Sequence, residues 1–96
     1  MARRIKKGPY HFRIRADCRV TYLVVLRRLG AIGVSKDDFD VALSAIWGEF
    51  NQGFVPVDGL PVRNEPGTYA FTVHNVRLHY QIDETLMEIA VVRIMP

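Results

Sequence analysis

The residues able to do chemistry in this chain are basic, and most fall at period-two spacing. Arg77 and His79 alternate with Val76, Leu78 and Tyr80, which places the two polar side chains on the opposite face of a strand from the apolar three. Arg93 closes a second such run, Ile89 to Arg93, and is the third candidate for that polar surface. Strict alternation there sets Ile89, Val91 and Arg93 on one side and Glu88, Ala90 and Val92 on the other. Arg13 and Arg15, alternating with Phe12 and Ile14, extend the surface if their strand is a neighbour. A basic sheet face of this kind can hold RNA phosphates, or stabilise a phosphoryl transition state without a metal. Neutral His79 can move a proton near pH 7. Arg77, Arg93 and His79 are therefore the catalytic candidates, with Arg13, Arg15, Arg63, Lys6 and Lys7 as the nucleic-acid-binding set. The competing reading is that these cations only solubilise an exposed sheet face.

Other chemistry has less to stand on. There is no glycine-rich phosphate loop, His11, His74 and His79 are too scattered to imply a shared metal, and nothing calls for a cofactor. Cys18 is the single cysteine, so no internal disulfide forms and a reducing, cytoplasmic setting is expected, with the thiol as a buried or half-buried side chain. The longest apolar stretch, Tyr22 to Leu26, is too short to cross a membrane, and no signal peptide is expected.

The elements that must carry these residues follow from the pattern. Ninety-six residues make one domain, 1–96, with one core, and residues 1–9 read as a basic, flexible tail. Tyr10 to Arg15 alternates as a first strand. Asp17 is placed to cap a helix over 17–29 with Tyr22, Val25, Leu26 and Leu29 on one face and Gly30 at its end. The β-branched run Val20 to Val25 makes a strand the alternative there. Ser35 with Asp38 resembles a capping box opening a helix over 36–52, whose Phe39, Leu43, Ile46, Trp47 and Phe50 form a wide apolar stripe. Residues 54–66 are a connecting loop with a short extended piece. Three strands then run from Tyr69 to Ile94, the first two joined by a turn at His74 and Asn75. The predicted fold is α+β, in the order β-α-α-β-β-β, with a helical hairpin on one face of a mostly antiparallel sheet. Its core is expected to hold Phe39, Leu43, Ile46, Phe50, Phe71, Leu78, Tyr80, Ile89 and Val91.

The runs Val76-Arg77-Leu78-His79-Tyr80 and Ile89-Ala90-Val91-Val92-Arg93, with Leu60 and Tyr69 to Val73 before them and Asp83-Glu84 between, resemble the RelE/ParE superfamily of bacterial toxins. The element order matches over most of the chain, and the specific part is its last thirty or so residues. The resemblance implies the toxin of a type II toxin-antitoxin module, acting by ribosome-dependent mRNA cleavage or by poisoning DNA gyrase. If an enzyme, it would be a metal-independent endoribonuclease. The implied partners are a cognate antitoxin and the ribosome with mRNA, or gyrase, with a homodimer as a further expectation. This chain departs from that pattern twice. Ala70, Phe71 and Thr72 stand where the family's ribonucleases carry strand arginines, and only Ile94, Met95 and Pro96 follow Arg93, where the family supplies a His or Tyr. The alternative expectation is a non-catalytic protein- or nucleic-acid-binding module.

Overall fold

The computed structural model describes residues 3–95; Met1, Ala2 and Pro96 lie outside them. In chain order it forms β1 (Arg3–Arg4), β2 (His11–Ile14), α1 (Arg19–Ala31), α2 (Lys36–Asn51), β3 (Phe54–Val55), β4 (Leu60–Pro61), β5 (Thr68–Val73), β6 (Val76–Asp83) and β7 (Glu88–Met95). β4, β5, β6 and β7 are an antiparallel meander, and β2 adds parallel to β7, giving the order β2-β7-β6-β5-β4. The expected α+β architecture, a helical hairpin on a mostly antiparallel sheet, is the one observed. The two-residue strands β1, β3 and β4 are additions to the six-element order.

α2 forms where the pattern demands it. The Asp38 amide donates to Ser35 Oγ at 3.1 Å, and the Ser35 amide donates to Asp38 Oδ2 at 3.3 Å, closing the capping box. Phe39, Leu43 and Phe50 are fully buried, while Ile46 is only half-buried at the rim of the core. Phe50, Phe71 and Tyr80 meet edge-on or tilted at 5.4 to 5.9 Å between ring centres, joining helix to sheet. The Tyr80 hydroxyl finds no hydrogen-bond partner among the described residues, and burial pushes its pKa up.

Helix wins over strand at Val20 to Val25 because the helical spacing brings Val25 and Leu29 into the core. Its start differs from expectation. Asp17 caps nothing, because Arg15 takes its carboxylate at 2.6 and 2.8 Å; a 3-10 turn at Ala16–Cys18 intervenes and the helix begins at Arg19. Gly30 does not end it either. The chain turns two residues past Ala31, at Gly33, whose φ of +89° favours glycine. Cys18 is buried, as expected.

The basic N-terminal stretch is anchored from Arg3 on, and does not hang free. Arg3 and Arg4 pair with Val55 and Phe54, the Ile5 amide donates to the Gly53 carbonyl at 2.9 Å, and the Gly8 amide to the Asn51 carbonyl at 2.9 Å. Asn51 Oδ1 also accepts from the Tyr10 amide at 2.8 Å, which seats the Tyr10 ring in the core. Charge alone marks this stretch as solvated, but its backbone has partners in the segment after α2.

Candidate functional site

The helices cover one face of the sheet and leave the other open. Leu78, Tyr80 and Ile82 of β6 point to the helices, so Arg77, His79 and Gln81 point away, as period-two spacing requires. The turn into β6 is the two-residue kind, with His74 and Asn75 both at positive φ, as anticipated for this hairpin.

Arg93 reaches that face by a break in the alternation. His79 pairs with Arg93, but the next pair is Tyr80 with Val91, so Val92 is the extra residue of a bulge. The bulge turns Arg93 away from the side of Ile89 and Val91, where strict alternation places it. It also sends Ile94 inward to pair with Leu78 and be buried. Arg77, His79 and Arg93 thereby meet: Arg77 Nε donates to His79 Nε2 at 3.4 Å, and Arg93 Nη1 lies 3.2 Å from His79 Nδ1.

His79 is only 5% exposed, although it sits on the uncovered face. Burial lowers its pKa, the Arg93 and Arg77 charges lower it further, and Glu65 opposes them. The ring is neutral at pH 7. A neutral imidazole has one acceptor nitrogen, so it cannot satisfy two guanidinium groups at once. Arg77 has no carboxylate partner among the described residues. Arg93 has one, Glu65, whose oxygens both lie 3.4 Å from the guanidinium nitrogens. The cluster thus holds two fixed positive charges against one carboxylate, on a floor that includes the buried Ala70 and Ala90, and it can take an anion.

The other candidate cations are placed unequally. Arg13 shares the open face, level with Ala90, and faces Glu88 at 3.6 Å. Arg15 lies just past the end of β2 and is committed to Asp17. Arg63 is exposed on the turn that carries Glu65. Lys6 and Lys7 are not brought to the cluster: the Lys6 amide bonds Glu84, beyond the opposite end of β6 from Arg77. No group of three or more metal-ligating side chains occurs among the described residues. Glu65 is the site residue that sequence reasoning misses. It sits in a polar turn, 28 positions from Arg93, with no periodicity to mark it.

A helical hairpin on one face of a β-meander whose edge strand runs parallel to the last defines a known class of α+β fold. No family model matches the chain, and no curated protein matches it. Among solved structures it is similar to a chain of the toxin-antitoxin complex RelBE2 from Mycobacterium tuberculosis, with a TM-score of 0.61 at 22% identity over 95% of this chain and 94% of that one. The likeness extends over the whole domain and shows a shared fold, the one that the RelE/ParE resemblance implies. No helix among the described residues is long and apolar enough to cross a membrane.

Proposed function

We propose that this chain is the toxin of a type II toxin-antitoxin module, and that it acts in the cytoplasm by gripping RNA phosphates on the open face of its sheet. The observation that carries the reading is the Arg77, His79 and Arg93 cluster, in which two guanidinium groups flank a buried neutral imidazole. In this reading Arg77 and Arg93 contact phosphate, His79 accepts from Arg77 and spaces the two arginines, and Arg13 extends the track along the sheet. The fold shared with a chain of a toxin-antitoxin complex supports it.

An antitoxin needs a surface, and α1 offers one. Val20, Leu23 and Val24 are 74%, 62% and 40% exposed, with Arg19, Arg27 and Arg28 beside them, and the helix carries no acidic residue. An amphipathic segment with an acidic rim fits an apolar stripe with a basic rim.

The site also supports a second reading, binding without cleavage, because its imidazole is buried between two guanidinium groups whose charges oppose its taking a proton. Growth under induction tests the first reading. Wild type should arrest growth, and Arg77→Ala should relieve the arrest while melting at the same temperature. Unchanged growth from well-folded wild-type protein would favour the binding-module reading. Gyrase-linked DNA breaks with intact messages would place the protein in the other toxin branch.

A further inference from the structure

We propose that Glu65 is a specificity-determining residue of the open face, a tethered occupant of the Arg93 guanidinium that phosphate displaces and small monoanions do not. This rests on the reading of that face as a phosphate site. The carboxylate sits where a phosphate would, with one oxygen toward each of two Arg93 nitrogens. Its fit is loose. Both separations are 3.4 Å, against roughly 2.7 to 2.9 Å for a strong charge-assisted bond, and the two side chains are 48% and 37% exposed.

The backbone beneath it is fixed, and the carboxylate itself is 37% exposed. The Glu65 amide donates to the Val62 carbonyl at 3.2 Å, the Thr68 amide donates to the Glu65 carbonyl at 3.1 Å, and Asn64 holds the turn at a φ of +63°. A group on so short a tether competes at an effective concentration on the order of millimolar. Chloride, with one charge and no geometric match to the fork, gains nothing by replacing it. A phosphate does gain, because it bridges to Arg77, which has no carboxylate of its own among the described residues. Glu65 therefore filters ligands by charge and reach, and lowers the affinity of every anion that passes.

The test follows the Arg93 Nε resonance by NMR while inorganic phosphate, and separately chloride, is added to wild type, Glu65→Gln and Glu65→Ala. Phosphate should shift the wild-type resonance saturably and chloride at equal ionic strength should not. Both variants should reach half-saturation at roughly two- to five-fold lower phosphate. Equal half-saturation in all three proteins, a weaker response in the variants, or no response to phosphate in any would overturn the inference. Anisotropy of a labelled single-stranded RNA, run on the same samples, separates the two claims. Phosphate displacement without RNA binding would leave the role of Glu65 standing and remove the RNA reading.

Discussion

His79 and Arg93 stand opposite each other in the ladder of β6 and β7 only because Val92, between Arg93 and Val91, has no partner on β6. One unpaired residue moves a guanidinium from the helix-covered side of the sheet to the open side and brings it within 3.2 Å of the imidazole. Bulges re-aim side chains in this way at many functional sites.

Deleting Val92 should leave both effects in place, because Val91 and Arg93 then become consecutive residues of a regular ladder. Arg93 would still stand opposite His79 on the open side, and Ile94 would still point inward opposite Leu78. The deletion removes one buried side chain together with the bulge, so it should cost about 1 to 2 kcal/mol in a urea titration. Val92→Ala keeps the register and should cost about 1 kcal/mol, with Arg93 still beside His79. A deletion mutant that fails to fold, or that loses more than about 4 kcal/mol, would show that the ladder does not close over Val92 in this way.

The His79 environment also fixes a pH dependence. Burial and the two arginines depress its folded pKa below the unfolded value of about 6.5, so between the two values the unfolded chain binds more protons than the folded one. Stability must then rise with pH through that window. The contribution is present in full above about pH 6.5 and is lost on acidification toward the folded pKa. Thermal melts of wild type and His79→Gln from pH 4.5 to 7.5 should diverge in slope on the acid side, with the wild type losing more. Parallel curves would mean that the imidazole is not held neutral.

Core substitutions should rank by burial. Leu43→Ala, at a side chain 2% exposed, should cost about 3 kcal/mol, and half-buried Ile46→Ala about 1 to 2. Lys36→Ala removes only an exposed pair with Asp40 and should cost less than about 0.5 kcal/mol. Tyr80→Phe deletes a buried hydroxyl that has no hydrogen-bond partner among the described residues and should be neutral or stabilising by up to about 1 kcal/mol. Equal losses for Leu43 and Ile46 in a denaturant titration would show the apolar stripe of α2 to be set differently in the core.

The parts of this protein that could be read from the chain are those specified by local periodicity. The stripe of α2, its capping box, the turn at His74 and Asn75, and the outward side of Arg77 and His79 all depend on neighbours within a few positions. What escaped reading depends on distant partners. Arg3 and Arg4 pair with residues some fifty positions away, β2 lies parallel to β7, and Asp17 serves Arg15 rather than the helix it precedes. The bulge at Val92 belongs to the same group, since period two is the assumption it breaks. Burial of His79 on an uncovered face was equally hidden, because the side chains beside it, the long arginines among them, shield it across strands.

The chemistry of the cluster favours gripping over cutting. Metal-free RNA cleavage needs a group to remove a proton and another to return one, together worth orders of magnitude in rate. Arg77 and Arg93 stay protonated and cannot serve as a base. His79 is 5% exposed, its Nε2 accepts from Arg77, and each arginine charge opposes its taking a proton. The Glu65 carboxylate is turned toward Arg93. Primer extension on translated messages after induction should therefore show weak or no new 5′ ends, even where growth arrests. Arg77→Ala and Arg93→Ala should relieve the arrest, while His79→Gln, which keeps a polar side chain between the arginines, should retain most of it. Robust cleavage in translated messages that disappears in His79→Gln would make the imidazole a proton carrier and reverse this assignment.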